Sequence, residues 1–279
     1  MKTINCKGRL IDLSSPKVMG ILNITPDSFY DGGKYKSDSD FLTQVETMLA
    51  DGATFIDIGA YSSRPGADHI SEKEELDRLL PVLNAICTKF DDVLISVDTF
   101  RSNVAKHAIN HGAAIINDIS AGKADENMLK TIRAFQVPYI MMHMRGTPQN
   151  MSSKTKYENL LVDVVKELSE QVHHAKKIGI NDLIVDPGIG FAKNTNQNFT
   201  ILKHLDYFNI FELPILLGVS RKSMIYKTLD STADKALNGT SALNSIGLTK
   251  GATILRVHDV KEAVECIQLF ESLESNSIE

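Results

Sequence analysis

The chain has 279 residues, 43% of them hydrophobic and 23% charged, with a formal net charge of −5 at pH 7. That size and balance suit one domain with a large core, as in α/β barrels of about 250 residues, and exclude a disordered chain. The acidic balance lacks the basic signature of a nucleic-acid binder, and with no run of about 18 apolar residues no membrane partner is expected.

In chain order, the opening MKTINCKGRL lacks the apolar run of a signal peptide, and residues 1–15 read as a short hairpin or cap over the bottom of the domain. Cys6, Cys87 and Cys266 are scattered, without CxxC spacing, and read as reduced thiols of a cytoplasmic protein. Short runs rich in Val, Ile and Leu predict strands at 18–24, 54–58, 93–97, 114–116, 138–142, 183–185, 215–219 and 254–257. Helical patterns lie between them, clearest at 39–50, 71–90, 102–110, 126–135, 157–178 and 233–249. Gly52, Gly112, Gly179 and Gly251 follow helical stretches at C-terminal cap positions, and Ser71 with Glu74 predicts a capping box. Eight strands alternating with helices predict a parallel sheet. A single (β/α)8 TIM barrel over 1–279, with a core of about 16–273, is the natural α/β form at this length, and a doubly wound open sheet is the alternative. The tail after Leu273 is polar and is expected to fray.

Nearly every strand ends in a polar residue: Asn23, Asp57, Asp98, Asn117, His143, Asp186, Ser220 and the pair Arg256 and His258. The strand interiors are apolar, so the polarity gathers at the carboxyl face, where barrel enzymes build their sites. Any one position could be a turn or cap residue, and Asp57 could equally be a buried structural carboxylate. The loops add chemistry. Residues 23–33, long and glycine-ended, suit a mobile lid. Residues 62–66 carry Ser62, Ser63 and Arg64, and residues 186–193 offer a glycine-rich backbone that a ligand can approach. Ser220-Arg221-Lys222-Ser223 predicts a helix start with Ser220 as N-cap, favourable to an anion. His173 and His174 point about 100° apart on a helix and read as a solvated face rather than a metal pair.

These segments resemble the dihydropteroate synthase family along nearly the whole chain: GILNITPDSFYDGG from Gly20, SSRPGA from Ser62, SVDTFR from Ser96, GAAIINDISAG from Gly112, MHMRGTPQNM from Met142, VDPGIGFAK from Val185, SRKS from Ser220 and ILRVHDV from Ile254. The resemblance implies a TIM barrel, a homodimer, and a transferase joining 6-hydroxymethyl-7,8-dihydropterin pyrophosphate to 4-aminobenzoate. It puts the pterin on Asp98, Asn117, Met141, Asp186 and Lys222. It puts the pyrophosphate on Ser63, Arg64, Arg256 and His258, with Asn23, and with Asp31 as a second candidate, at a Mg2+ ion. The aminobenzoate falls on Phe29, Pro65, Phe191, Lys222 and Ser223. The catalytic set is then Asn23, Arg64, Lys222, Arg256 and His258. One departure stands out: Ala60-Tyr61-Ser62-Ser63 replaces the family's usual Gly-Glu-Ser-Thr, so Tyr61 stands for an acid.

The chemistry suits these residue types. A pterin edge presents adjacent N–H donors, which one carboxylate such as Asp186 accepts side by side, while Asn117 offers both a donor and an acceptor. Departure of pyrophosphate leaves a cation that the electron-rich ring delocalises, an SN1-like path in which Arg64, Arg256, His258 and magnesium stabilise the leaving oxygens. Rival readings are a pterin-dependent methyltransferase on the same barrel, a sugar-phosphate aldolase using Lys222 as a Schiff base, and a catalytically silent pterin-binding paralogue.

Overall fold

The computed structural model describes residues 3–24, 38–64, 66 and 68–276. The candidate residues Phe29, Asp31 and Pro65 and most of the expected lid lie outside them. The chain opens on an antiparallel hairpin, β1 (Thr3–Cys6) and β2 (Arg9–Asp12). Its two-residue turn, Lys7 at φ 55 and Gly8 at φ 82, has the left-handed geometry that matches strand twist.

Eight parallel strands come next: β3 (Lys17–Asn23), β4 (Phe55–Gly59), β5 (Ile95–Asp98), β6 (Ile115–Asp118), β7 (Tyr139–Met142), β8 (Leu183–Asp186), β9 (Leu216–Leu217) and β10 (Ile254–Val257). They pair in the order β8-β7-β6-β5-β4-β3-β10-β9. A parallel bridge between Val185 and Ile215, with the Val185 N–H on Pro214 O at 3.0 Å, joins β8 to β9 and closes the ring. Closure decides for the barrel over the open sheet. The helices are α1 (Asp38–Ala50), α2 (Glu72–Lys89), α3 (Ser102–Asn110), α4 (Met128–Phe135), α5 (Leu160–Lys177), α6 (Thr195–Lys203), α7 (Ser223–Thr228), α8 (Leu237–Thr249) and α9 (Val260–Ser275).

The expected 233–249 helix is split: Ala233–Lys235 is a 3-10 turn and α8 starts at Leu237. At the C-terminus, α9 runs to Ser275, past the point where fraying was expected. Ser71 caps α2 by accepting from the Glu74 N–H, but the Glu74 carboxylate turns to Arg78, so the capping box is half made. The four expected cap glycines all take positive φ, from 90 to 107.

Side chains alternate across a strand, and register-paired residues of parallel neighbours share a face. One set lies between barrel and helices, in a large cluster that includes Val18, Ile56, Val97, Ile116, Met141, Val185 and Leu255. The other set points into the barrel. Its lower part is Met19, Phe55, Leu94, Ile115, Ile140, Ile184, Leu216 and Ile254, packed against Ile4, Cys6 and Leu13. The hairpin therefore plugs the amino end of the barrel, as the sequence suggested, and the site is left to the other end.

Candidate active site

The inward set turns polar toward the carboxyl end. Register pairs Ile21 with Asp57 and Asp57 with Ser96 at one level, then Asn23 with Gly59, Gly59 with Asp98 and Asp98 with Asn117 at the next. Asn117 pairs with Ile140, and Met142, two residues on, pairs with Asp186. Asn23, Asp98, Asn117 and Asp186 thus face one mouth. A Cβ on Gly59 would sit 3.4 Å from Asn23 Oδ1 and 3.8 Å from Asp98 Cβ, so the lack of a side chain there lets these two residues flank it closely.

The same parity corrects one expected contact. Met141 pairs with Asp118 and Val185 on the outward face and packs fully buried among the helix-facing residues. The methionine facing the mouth is Met142, clustered with Ile119, Met144, Met151 and Ala192 against Phe100 and Phe191. Counting inward from Asn117 along paired strands finds Met142, but pairing is not visible in one sequence.

Arg256 enters from β10. Its Nε donates to Asp57 Oδ2 at 2.6 Å and its Nη2 to Asp98 Oδ2 at 3.2 Å. Asn117 Nδ2 also donates to Asp57 Oδ2, at 3.1 Å. Asp57 is thus the buried residue that ties Arg256 to the barrel wall, and its Oδ1 and the neighbouring Ser96 Oγ are buried without partners among the described residues. Burial pushes Asp98 up to about 7 against the pull of Arg256, and the Asp57 charge pushes the same way. Burial also raises Asp186, with Lys222 opposing, while burial lowers Lys222 to about 8, with Asp186 opposing. The Lys222 ammonium donates to Ile189 O and stands 5.0 Å from the centre of the Phe191 ring.

Ser220 is not the helix cap expected of it. Lys222 occupies the N-cap position of α7, and Ser223 is that helix's first residue. Ser220 Oγ accepts from the His258 N–H at 3.2 Å and lies 2.9 Å from His258 Nδ1. A hydroxyl donating to Nδ1 leaves the imidazole proton on Nε2. Burial first, then Arg256, Arg221 and Arg64, lower His258 to about 4, so the ring is neutral near pH 7. Arg221 spends its guanidinium on Asp259, with Nε to Oδ2 at 3.0 Å, and so braces the start of α9. Ser63 is half-buried and Arg64 exposed on the second loop. Tyr61, in place of the acid, is buried: its hydroxyl receives Gln149 Nε2 at 2.8 Å and meets His69 Nδ1 at 3.2 Å, and its ring stands edge-on to Phe100 with centroids 5.0 Å apart. With the Gly66 N–H on Pro148 O at 3.3 Å, this docks the second loop on the β7 loop.

A family model described as "Pterin binding enzyme" matches residues 19–258. A dihydropteroate synthase of Escherichia coli K12 is 42% identical over 268 residues, covering 95% of this chain and 94% of that one. Among solved structures, a Yersinia pestis dihydropteroate synthase with a sulfonamide drug complex superposes with a TM-score of 0.93 at 41% identity, covering 98% of this chain and all of that one. One from Xanthomonas albilineans in complex with 7,8-dihydropteroate gives 0.88 at 30% identity, covering 99% and 100%. The chain belongs to the dihydropteroate synthase family of pterin-binding enzymes.

Proposed function

We propose that the chain condenses 6-hydroxymethyl-7,8-dihydropterin pyrophosphate with 4-aminobenzoate, giving 7,8-dihydropteroate and pyrophosphate. The carrying observation is the inward row of Asp98, Asn117 and Asp186 at one mouth, with the Lys222 and Arg256 cations between them. Asp186 accepts paired N–H donors of the pterin edge, Asn117 supplies a donor and an acceptor, and Met142 lends an apolar wall. The bond from the exocyclic methylene to the pyrophosphate oxygen breaks first, and the pair leaves with the oxygen. The neutral arylamine then attacks the methylene carbon and loses a proton, so no strong general base is required. Arg64, Ser63 and the Nε2–H of neutral His258 meet the leaving oxygens, and Arg256 lends them its charge from between Asp57 and Asp98. Phe191, Lys222 and Ser223 on the described residues, with Phe29 and Pro65 outside them, receive the aminobenzoate.

Magnesium fits this donor set. Asn23 brings a hard amide oxygen to the mouth beside Gly59, and magnesium needs few protein ligands when phosphate oxygens complete its shell. Bound there, it would neutralise charge on the departing pyrophosphate. Turnover should then cease in excess chelator and return with magnesium. The family resemblance also supports a homodimer, and the three free cysteines suit a cytoplasmic setting. Pyrophosphate release is the direct test. It must require both substrates together, and release from the pterin substrate alone at the same rate would withdraw the synthase reading.

A further inference from the structure

The loop from Gly188 to Lys193, between β8 and α6, is turned by Gly188, Gly190 and Ala192 at φ 69, 86 and 50. Five of its carbonyls are each taken by a side chain, that of Lys193 by Asn198 Nδ2 at 3.3 Å. Lys193 Nζ donates to Gly188 O at 3.0 Å and to Phe191 O at 3.1 Å, Lys222 Nζ donates to Ile189 O, and Tyr157 Oη donates to Ala192 O at 3.0 Å. The Gly188 and Gly190 N–H groups go to Asp186 Oδ1 and Asn198 Oδ1, each at 2.7 Å. A Cβ on Gly188 would lie 1.9 Å from His143 O, so the loop backbone packs directly against the β7 end, where no side chain fits.

Lys193 is 7% exposed, and its third proton meets His143 Nδ1 at 3.0 Å. An ammonium has three donors, and all three are used. With Nδ1 accepting, the neutral His143 ring carries its proton on Nε2 and donates to Glu167 Oε2 at 3.2 Å, and Arg145 Nε holds Glu167 Oε1 at 2.8 Å. Burial lowers Lys193 to about 7 and His143 to about 4. At Lys193, Asp186 and Glu167 oppose that pull while Lys222 and Arg145 add to it. The brace therefore runs from Arg145 through Glu167 and His143 to the backbone that carries Phe191 and that holds Lys222.

We propose that Lys193 is a positioning residue for the aminobenzoate half of the reaction: its ammonium, backed by His143 and Glu167, fixes the Gly188 and Phe191 carbonyls so that the Phe191 ring meets the arylamine in one geometry. This rests on the function proposed above. Lys193→Met keeps the length of the side chain and removes all three donors. The KM for 4-aminobenzoate should rise roughly tenfold or more from the lost charged hydrogen bonds. The KM for the pterin pyrophosphate, held mainly by strand residues, and kcat at saturating aminobenzoate should both stay within about threefold, well inside the effect of a truncated contact. Glu167→Gln, at the half-exposed end of the brace, should fold readily and give the same selective rise at smaller size. An unchanged aminobenzoate KM in either variant, or equal rises in both KM values with a lowered melting temperature, overturns the role. The unaltered chain run alongside separates the two ideas. No turnover there defeats the functional reading, whereas turnover with an unselective response in the variants defeats the role of Lys193 alone.

Discussion

At the scale of single residues, the mouth is a set of charges made costly by burial and kept by their partners. Asp186 is buried, which raises its pKa, while the Gly188 N–H it accepts and the Lys222 ammonium oppose that rise. If it reads the pterin edge, Asp186→Ala leaves ring donors unpaired, a loss of roughly 1–3 kcal/mol, or about tenfold or more in pterin affinity. Calorimetry on the folded variant checks this, and unchanged affinity would remove Asp186 from the pterin site. His258 gives a second prediction. Its folded pKa is about 4 against an ordinary 6.5, so between those values the unfolded chain binds a proton that the folded chain does not. Its contribution to stability is therefore complete above pH 6.5 and falls as the pH drops toward 4, by about 1.4 kcal/mol per pH unit at most. Asp98, raised to about 7, acts in the opposite sense over the same window, so the measurement is a difference. The stability of the chain minus that of His258→Asn, from denaturant unfolding, should shrink on acidification from pH 6.5 to 4. A constant difference would mean that the ring is not held neutral.

At the scale of elements, strand parity decides which neighbours of a motif do the work. Met141 and Met142 are adjacent and chemically identical, yet one packs against helices and the other faces the mouth. Met141→Ala should cost about 2–5 kcal/mol of stability with little effect on pterin binding, and Met142→Ala should weaken pterin binding more than it destabilises. Parallel thermal melts and pterin titrations check both, and matching profiles would refute the assignment of faces. Helices were legible where an apolar stripe ran long enough. The six residues of α7 are too few to show a period, and α6 buries little beyond Asn198, Ile201 and Leu202. The sign of α6 was its capping box, Asn194 with Gln197, rather than its apolar pattern. The sign of α9 was the spacing of Val260, Ala263 and Ile267.

At the scale of the whole molecule, the hairpin plugs one end of the barrel and the strand ends at the other carry the pterin half of the proposed site. The strand residues Asp98, Asn117 and Asp186 and the braced 188–193 loop are each held by partners within the chain. The aminobenzoate site proposed above would in addition draw on Phe29 and Pro65, which lie outside the described residues. If the loops that carry them close on pyrophosphate and magnesium through Arg64 and Asn23, free 4-aminobenzoate meets an incomplete pocket, and its affinity is reduced by the small closed fraction. Equilibrium titration of labelled 4-aminobenzoate, or of a sulfonamide that copies its shape, should show weak binding alone and tighter binding with pyrophosphate and magnesium. Equal affinity in both conditions would mean a preformed pocket and no lid. What the sequence by itself determined was the kind of fold and the chemistry at the strand ends. Buried parallel strands must be apolar runs, and polar residues closing those runs, such as Asp98, Asn117 and Asp186, can gather at one face only. What the tertiary structure alone decided was pairing across the chain. The closure of β8 on β9, the hold of Asp57 on Arg256 across 199 positions, the turn of Ser220 to His258 and the Lys193 brace all join segments far apart in sequence. Hydrogen bonds of that kind depend on distances that only the closed barrel sets.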